Sequence, residues 1–574
     1  MARIRKIEIQ NYRGIKQFSW LPSAGINCLI GPGDSGKSSV LDAIDVCLGA
    51  RRNVQFSDAD FHKLDVAAPI SISLTIGELD DALKSMETYG MSVRGFDRST
   101  GAIDDEPEKD AETVLTLNLT VASDLEPSWT LVSDRASAQN QTPKLTWADR
   151  VRLAPTRLGT MAEYNLGWRH GSVLNRLSDK RSDASDALVR AAREARGAFG
   201  NEAEKELGET LAMVAKTAKS LGVPVGDQAR AMLDAHSVSF STGTIALHDE
   251  GGVPLRGLGV GSARLLVAGL QRMAADKSTI ILVDELEYGL EPHRIMRLLA
   301  SLGAKEKKPP LQAFVATHSP VAVRELSANQ LFVMRQLDDS HEARSARTDG
   351  DIQTTIRLFP EAFLAPAVIV CEGDSEVGFV RGLDHHRTAD DHTAISALGV
   401  ALVSGGGVDQ VLKRAHAFRA LGYRVAVIRD DDKRPPEADE RAFKDAGGKV
   451  ISWRNGRALE DELFLSLSDD GVDKLIRRAT ALHGEGLIND HIISVSQNAK
   501  DLAAIQKERQ IGGISPESRA ILGSAASRKA AWFKTLISME AVAYDIVGPD
   551  LHSGDAGFRA IIDHIFEWCA IAGE

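Results

Sequence analysis

The sequence predicts an α/β chain with a separate parallel sheet in each half. A glycine-rich loop near residue 31 stands between an apolar run and a helical pattern, and apolar runs near residues 280 and 315 end in polar side chains. From about residue 366 a new alternation of apolar strands and helices begins. The length of 574 residues agrees with roughly two to four domains.

The composition is typical of an ordinary globular protein, with 43% hydrophobic and 26% charged residues. Four scattered cysteines without C-x-x-C spacing favour a reducing compartment and argue against a zinc site. We find no signal-peptide pattern and no apolar run long enough to span a bilayer, so we expect a cytoplasmic protein with no membrane partner. The net charge of -12 at first disfavours a nucleic-acid partner, but such a sum hides local basic strips.

The first motif is a glycine-rich loop that matches G-x-x-x-x-G-K-[ST]. It reads Gly31-Pro32-Gly33-Asp34-Ser35-Gly36-Lys37-Ser38-Ser39. An apolar run precedes the loop and an amphipathic helical pattern follows it. In this arrangement backbone amides surround phosphate oxygens, and we expect Lys37 to reach the β- and γ-phosphates of ATP and Ser38 to ligate Mg²⁺. A chance match to a glycine-rich turn is the alternative.

The second motif is the stretch 278–285, in which five apolar or β-branched residues, 279–283, are followed by two acids. Such a run predicts a strand buried on both faces, and ligands bind at the carboxyl ends of parallel strands. We expect Asp284 to hold the Mg²⁺ shell and Glu285 to polarise the attacking water as general base. A simple helix cap is the alternative.

Two weaker signals flank this strand. A glycine-rich turn that includes Gly261 and Ser262 opens a helix about 20 residues before it. After it, the apolar run 311–317 ends in His318, which we expect to reach a γ-phosphate, although a lone histidine is more often structural. The helical pattern between about 160 and 235 is either an insertion packing on its own domain or a dimerisation surface.

Three further predicted strands of the first half carry no candidate site residues. Residues 4–10 alternate like a half-buried strand, and residues 70–76 and 115–121 alternate like antiparallel strands with one face in water.

In this order the motifs resemble the ABC-type ATPases of the RecF/Rad50/SMC class, and residues 7–14 are similar to the N-terminal signature of that class. The resemblance implies an ATPase domain in two parts, 1–159 and 239–350, around a helical insertion, 160–238. It also implies that two protomers sandwich ATP, with Gly259–Ser262 of one covering the γ-phosphate held by Lys37 of the other. The run Leu258-Gly259-Val260-Gly261-Ser262 departs from the usual Leu-Ser-Gly-Gly-Gln, so fast ATP turnover is not expected.

In the second half, acids follow two of three predicted strands. The run 366–371 ends in Glu372, residues 394–398 and those after them predict a second strand closed by glycines, and the run 423–428 is followed by Asp430 and Asp432. Carboxylates at one sheet edge repel each other unless a divalent cation neutralises them, and oxygen ligands suit Mg²⁺ or Mn²⁺. A solvated Asp-Asp-Asp turn is the alternative.

Near the end of the chain lies a basic stretch, residues 507–534, with Trp532 and Phe533 beside Lys534. Such a strip suits a nucleic-acid backbone, and a lysine near metals stabilises charge on a scissile phosphate. A solvated helix face with two core aromatics is the alternative.

The acidic pattern resembles the Toprim domain of topoisomerases, primases and certain nucleases, here over residues 365–574. By that resemblance one or two metals are held by Glu372, Glu376, Asp430 and Asp432. Glu372 also acts in proton transfer. The acids Glu460, Asp461 and Glu462 are implied as candidate ligands of a second metal, with Glu462 preferred.

An ABC-type head followed by Toprim resembles the OLD (overcoming lysogenisation defect) family of nucleases, which includes the nuclease of the Gabija antiphage system. Residues 528–534 look like the C-terminal lysine motif of that family, which makes Lys534 a catalytic residue. The resemblance implies an ATP-regulated, metal-dependent DNA endonuclease or nickase, assembled as a homodimer or higher oligomer, with a UvrD-like helicase partner if Gabija-type. The alternative is a RecF-like DNA-binding ATPase whose Toprim fold is only a docking module.

Overall fold

The computed structural model describes residues 2–51, 53–106, 111–159, 165–166, 172–177, 184–220, 228–231, 247–274, 279–347, 351–454, 456–528 and 531–571. The chain divides into two compact units. The first unit comprises residues 1–28, 36–317 and 338–341, and the second comprises 29–35, 318–337 and 342–574. Parts of the predicted helical insertion 160–238 lie outside the described residues, which include a 37-residue helix within it.

Thirteen of the described strands form one mixed sheet. They are β1 (Arg3–Tyr12), β2 (Ile15–Trp20), β3 (Ile26–Ile30), β4 (Ile70–Gly77), β5 (Val93–Phe96), β6 (Ile103–Asp104), β7 (Glu112–Val121), β8 (Pro127–Leu131), β9 (Thr156–Leu158), β10 (Ile280–Val283), β11 (Gln312–Ala316), β12 (Leu331–Gln336) and β13 (His341–Ser345). Their order is β6-β5-β7-β4-β1-β2-β13-β12-β3-β11-β10-β9, and β8 pairs with β7.

A second sheet of four described strands has the order β15-β14-β16-β17. Its strands are β14 (Ala367–Cys371), β15 (Val400–Ser404), β16 (Arg424–Arg429) and β17 (Lys449–Ser452). All of its pairings are parallel. The α/β fold class predicted from the sequence is therefore confirmed.

Helices connect and cover these strands. They are α1 (Lys37–Leu48), α2 (Met86–Tyr89), α3 (Asp134–Ala138), α4 (Trp147–Leu153), α5 (Val173–Leu177), α6 (Ala184–Ser220), α7 (Val260–Met273), α8 (Pro292–Ser301), α9 (Pro320–Glu325), α10 (Asp351–Leu358), α11 (Asp374–Ala389), α12 (Val408–Ala420), α13 (Glu437–Asp445), α14 (Leu459–Ser466), α15 (Asp469–His483), α16 (Glu485–Val495), α17 (Leu502–Ile511), α18 (Pro516–Ala526), α19 (Leu536–Val542), α20 (Gly548–Asp550) and α21 (Ala556–Ala570). Among the described helices, none combines the length and apolarity needed to cross a bilayer.

The antiparallel part of the first sheet has less contact with water than the alternation predicts. Strands β4 and β7 pair antiparallel as expected, with Ile72 opposite Leu119. On the polar face, Asn118 donates hydrogen bonds to Ser71 and Ser73, each at 2.9 Å. The polar side chains of this face are therefore half-buried and satisfy one another.

The parallel part of the first sheet carries the glycine-rich loop. Strand β10 pairs parallel with β9 and β11, and all four of its residues are buried. Strand β3 leads into the loop and α1 follows it. The apolar face of α1 is fully buried, as its spacing predicts, through Val40, Leu41, Ile44 and Leu48.

In the second unit one strand begins later than predicted. Residues 394–398 form a turn, in which the amide of Leu398 donates to the carbonyl of Ala394. Gly399 follows with a φ of +72°, a left-handed conformation that glycine adopts without strain. The second strand therefore starts at Val400, because the chain must reverse before it can join the sheet.

The helices of the C-terminal part share one hydrophobic core with the small sheet. Within this core α11 and α19 approach closely at two glycines. A Cβ atom at Gly378 would lie 2.2 Å from the carbonyl oxygen of Leu536, and one at Gly382 would lie 2.2 Å from that of Glu540. The glycines therefore fix the position of α19, and of the residues just before it, against α11.

We predict that Gly378→Ala lowers the free energy of unfolding by about 1–3 kcal/mol, because the added methyl group overpacks this contact. Gly486→Ala in α16 is the matched control, since a Cβ there would meet no atom within 4 Å. Denaturant unfolding of the full-length chain measures both. Equal stabilities of the two variants would contradict the packing assigned to α11 and α19.

Candidate active site

The glycine-rich loop has the backbone shape of a phosphate cradle. Gly31, Asp34 and Gly36 all have positive φ, of 134°, 56° and 85°. The hydroxyl of Ser35 donates to the carbonyl oxygen of Pro32 at 2.9 Å. These turns leave backbone amides ahead of the first residue of α1, where the helix dipole also favours an anion.

The expected magnesium ligands meet next to this loop. Ser38, the second residue of α1, donates from Oγ to Asp284 Oδ1 at 3.1 Å, although their positions are 246 residues apart. Asp284 comes directly after β10. A hydroxyl and a carboxylate in contact at the end of a phosphate loop are the protein ligands that a nucleotide-bound Mg²⁺ requires.

The two further phosphate-side residues differ from Asp284 in exposure. Glu285 is exposed and has a φ of +44°, which is strained for a residue with a side chain. His318 is also exposed and directly follows Thr317, whose hydroxyl donates to Glu287 at 2.5 Å. Both side chains are therefore accessible from solvent.

The first turn of α7 packs against the residues that follow Glu285. Gly261 has no room for a side chain, because a Cβ there would lie 2.1 Å from the carbonyl oxygen of Gly289. Ser262 accepts a hydrogen bond from Arg294 Nη1 at 3.1 Å. Gly261 therefore has a packing role within its own chain, independent of the expected contact with the γ-phosphate of ATP.

Arg264 was not singled out by the sequence and is central to this loop. Its side chain is fully buried, and it donates to four carbonyl oxygens, those of Leu158, Asp284, Glu285 and Tyr288, at 2.7–3.4 Å. Burial lowers the pKa of Arg264, and the acids nearby oppose that shift. The arginine holds the strained backbone at Glu285 in place.

In the second unit, acids gather at the carboxyl edge of the small sheet. Strands β14 and β16 are paired parallel with Cys371 opposite Ile428, so the residues after them lie side by side. The amide of Asp430 donates to Glu372 Oε2 at 3.1 Å. The Asp430 carboxylate in turn accepts from the amide of Leu459 at 3.0 Å, at the start of α14.

Two more acids lie in this cluster and are almost completely buried. Glu376, in the first turn of α11, is 3% exposed, and Glu460, in the first turn of α14, is 5% exposed. Burial, then the charge of Glu376, raise the pKa of Asp430 to about 9 and that of Glu372 to about 7. Burial and the same neighbour raise the pKa of Glu460 to about 7.

These carboxylates are close, but they do not yet form a closed set of ligands. Among the described residues, no three acidic, histidine or cysteine side chains are arranged to hold a metal ion as they stand. Each carboxylate is instead turned onto a backbone amide, Glu372 onto Asp430, Asp430 onto Leu459, and Glu376 onto Gly373 at 2.8 Å. Glu376 also accepts from the hydroxyl of Ser375 at 3.3 Å, so a cation would have to compete with these hydrogen bonds for the carboxylates.

The chemistry of this donor set fits a hard divalent cation. The acids are buried and repel one another, and their raised pKa values show that the charged forms lack compensation. Carboxylate oxygens are the ligands that Mg²⁺ and Mn²⁺ prefer.

Glu462, the preferred second-metal ligand from the sequence, points away from this cluster. Its side chain is fully buried and accepts from Arg454 Nε at 2.9 Å, from Ser466 at 2.8 Å and from Arg457 at 3.3 Å. Residues two apart on a helix face different sides, so Glu460 and Glu462 cannot share one site. Two arginines already neutralise Glu462, and Glu460 takes its place in the acidic cluster.

The three consecutive aspartates after β16 have different roles. Asp431 is buried and binds Arg434, the amide of Gly456 and Arg429, and these bonds lower its pKa to about 2. Asp432 is exposed, and its charge contributes to the raised pKa of Glu372 and Asp430. Asp431 is therefore structural, and Asp432 lies at the open side of the cluster.

Lys534 is the cation beside these acids. It is exposed, just before α19, and its charge lowers the pKa of Glu376 and Glu460 against the effect of burial. The neighbouring Trp532 and Phe533 are 1% and 0% exposed and belong to the core. These two buried rings cannot stack on nucleic-acid bases. The predicted contact between the aromatic pair and a nucleic acid is therefore excluded.

Two arginines of the predicted basic strip form ion pairs within the chain. Arg519 pairs with Asp469 at 2.6 Å, and Arg509 pairs with Asp470. Lys507 and Arg528 are exposed, and Lys529 lies outside the described residues.

Family models match both units. The model described as "AAA domain, putative AbiEii toxin, Type IV TA system" matches residues 26–324, and the model described as "Overcoming lysogenization defect protein-like, TOPRIM domain" matches residues 363–432. The first match covers more than half of the chain. The chain therefore belongs to this AAA domain family and carries an OLD-like TOPRIM domain after it, a combination that matches a nuclease of the OLD family.

The matches to individual proteins either cover a short stretch of the chain or have low sequence identity. The DNA replication and repair protein RecF of Chlorobium phaeovibrioides is 36% identical over 58 residues, which are 10% of this chain and 16% of that protein. RecF of Prosthecochloris aestuarii is 44% identical over 45 residues, 8% of this chain and 12% of the relative. The chain thus matches less than a fifth of the length of these curated relatives.

Among solved structures, an Smc head bound to the C-winged helix domain of ScpA is 14% identical, with a TM-score of 0.34, over 60% of this chain and 97% of that one. The SMC head domain from Thermotoga maritima is 13% identical, with a TM-score of 0.28, over 60% of this chain and 100% of that one.

We predict opposite effects on stability of replacing the carboxyl groups of Asp430 and Asp431 by amides when a chelator is present. The pKa of Asp430 is raised from 3.8 to about 9, so its contribution to stability is present at low pH and is lost as pH rises through about 9. Asp430→Asn should therefore raise the melting temperature at pH 8, by at least about 2–4 °C. The amide keeps an oxygen for the Leu459 amide.

Asp431→Asn is the matched control. The pKa of Asp431 is lowered to about 2, so its stabilising contribution is present above the ordinary value of 3.8 and is lost as pH falls through about 2. This variant should melt at a lower temperature at pH 8. A lower melting temperature for Asp430→Asn as well would show that the acids of the cluster do not repel one another.

Proposed function

We propose that this chain is an ATP-regulated, divalent-metal-dependent DNA endonuclease or nickase. The observation that carries the proposal is the gathering of Glu372, Glu376, Asp430 and Glu460 at one sheet edge, with Asp432 at its open side. Nucleotide and divalent-metal use in general follow from the ATPase and TOPRIM domains. Mg²⁺, with Mn²⁺ as a substitute, is the cation that the oxygen donors favour.

In this proposal the acids of the cluster bind cations, and one of them also transfers a proton. Glu372, Glu376, Asp430, Asp432 and Glu460 would hold one or two cations, which when bound supply an activated water and neutralise phosphate charge. Glu372 is suited to proton transfer, since its pKa of about 7 lies near neutral pH and allows both protonation states. Glu376 and Asp430 are held by backbone amides, and Glu460 is buried.

Lys534 is proposed to stabilise the negative charge that develops on the scissile phosphate. Its charge reaches Glu376 and Glu460, yet its side chain is exposed. Its position depends on the close packing of α11 on α19 at Gly378 and Gly382. Such fixed charges contribute more to a reaction than mobile ones do.

The ATPase part is proposed to control cutting. Lys37 and the loop before it would bind the phosphates of ATP, Ser38 and Asp284 would hold the magnesium shell, and Glu285 would act as general base. Gly261 and Ser262 would cover the γ-phosphate of a second protomer, and His318 would sense it. We also propose a homodimer or higher oligomer and a role in bacterial antiphage defence, with a UvrD-like helicase partner if the system is Gabija-type.

The RecF matches favour a second candidate, a DNA-binding ATPase whose TOPRIM domain only docks. A docking module has no need for four buried or half-buried acids whose pKa values are raised by burial and then by mutual repulsion. A plasmid-nicking assay with Mg²⁺ or Mn²⁺, with and without ATP, separates the two candidates. A wild-type chain that binds nucleotide but leaves every polynucleotide intact would favour docking.

We predict that Asp432→Ala reduces plasmid nicking at least about tenfold, the usual effect of weakening a metal site, while ATP binding is unchanged. The exposed side chain makes misfolding an improbable cause. Asp439→Ala, which removes another exposed acid of the same unit, should cut at the wild-type rate. Full cutting by Asp432→Ala would reject the site assignment.

Removal of Lys534 should reduce the rate of cleavage rather than metal binding. We expect Lys534→Ala to lower the single-turnover rate by about 100-fold, as loss of one charge-stabilising donor does. Lys534→Arg should recover part of the rate, and Lys507→Ala, at another exposed lysine, should have little effect. An unchanged rate in Lys534→Ala would remove this residue from the mechanism.

A further inference from the structure

Arg157 links three acids of the nucleotide-binding region and has no role in the proposals above. It is the middle residue of β9, which pairs parallel with β10, and it lies opposite Leu282, two residues before Asp284. This register directs it toward the end of β10, where the magnesium ligand is expected. Its side chain is 32% exposed, so it is neither a core residue nor a free surface charge.

The two oxygens of Asp284 are held by different partners. Ser38 Oγ donates to Oδ1 at 3.1 Å, and Arg157 Nη2 lies 3.4 Å from Oδ2. A carboxylate fixed through both oxygens has one orientation, which keeps Oδ1 on the hydroxyl that shares its proposed cation. Arg157 therefore restricts the rotation of Asp284.

The other end of the guanidinium is fixed to the helix that carries Ser38. Arg157 Nη1 lies 2.5 Å from Asp42 and 3.3 Å from Asp45, which are three residues apart on α1. Arg13 also binds Asp42, and Arg51 binds Asp45 at 2.6 Å, so the two aspartates are themselves held in place. One side chain thus connects α1 with the residue after β10.

The shape of arginine suits this task. Its planar guanidinium presents two terminal nitrogens to different carboxylates at once, whereas the ammonium group of lysine is a single point charge. The three acids would otherwise repel one another close to the triphosphate. We propose that Arg157 is a positioning residue that presents Asp284 to the divalent cation of the bound nucleotide.

This inference rests on the proposed binding of ATP with a divalent cation, and it predicts a specific defect. Without Arg157, Asp284 can turn away from Ser38, so the cation loses a ligand while the phosphate loop is unaffected. The affinity for nucleotide in EDTA should therefore be unchanged. The gain in affinity that Mg²⁺ provides should decrease, by about 10- to 100-fold for loss of a group that orients a metal ligand.

The test measures the affinity of the full-length chain for a fluorescent ATP analogue, in EDTA and in Mg²⁺, for wild type, Arg157→Ala and Arg157→Lys. We expect Arg157→Ala to lose most of the Mg²⁺-dependent gain and Arg157→Lys to recover part of it. Arg51→Ala is the matched control, because Arg51 shares Asp45 with Arg157 but makes no described contact with Asp284. It should keep the wild-type gain.

The outcomes separate this inference from the proposed function. A wild-type chain with no Mg²⁺-dependent gain would contradict the proposed nucleotide site itself. A normal wild-type gain that Arg157→Ala retains, or an equal loss of affinity in EDTA and in Mg²⁺, would overturn the role of Arg157 alone. If Arg157→Ala does not fold, Arg157→Lys and Asp42→Asn carry the test, and a full Mg²⁺-dependent gain in both would overturn it.

Discussion

Repulsion among buried carboxylates is the constraint on which the second unit depends. Folding brings Glu372, Glu376, Asp430 and Glu460 out of water and next to one another, which raises their pKa values, although the charge of Lys534 opposes this shift at Glu376 and Glu460. Such an arrangement costs stability and persists in a protein only where the surrounding fold fixes it. Clusters of this kind are typical of functional sites, because a bound cation converts the repulsion into affinity.

The fold supplies that support through backbone groups and close packing. Amides of Gly373, Asp430 and Leu459 hold the carboxylates, and parallel pairing of β14 with β16 sets their spacing. Two glycines let α19 pack directly on α11, which brings Lys534 to the acids. In the first unit arginines do comparable work, since Arg264 binds four carbonyls around Glu285 and Arg157 binds the side chain of Asp284.

Patterns with a fixed spacing could be predicted from the sequence. The glycine-rich loop, the buried strand before Asp284 and the strand ends at Glu372 and Asp430 each combine residue type with position, and the small parallel sheet follows from them. The choice between Glu460 and Glu462 could not be made in the same way. Both are acids in one helical turn, and only the partners Arg454 and Arg457, brought in by the fold, show which of the two faces the cluster.

Other errors have equally physical causes. Trp532 and Phe533 stand beside Lys534 in sequence, but both rings are buried in the core, since large apolar side chains gain most from burial. Arg157 and Arg264 belong to no motif, because a single arginine carries no periodic signal and gains its role from distant carboxylates and carbonyls. Sequence patterns do not reveal such contacts between residues that are far apart in the chain.

The most direct measurement is an anomalous diffraction experiment on crystals of the full-length chain soaked with Mn²⁺. Our account predicts an anomalous peak among Glu372, Asp430 and Glu376 or Glu460, with each carboxylate turned from its backbone amide toward the ion. Density showing those side chains still bonded to the amides, with no Mn²⁺ between them at a saturating concentration, would contradict it.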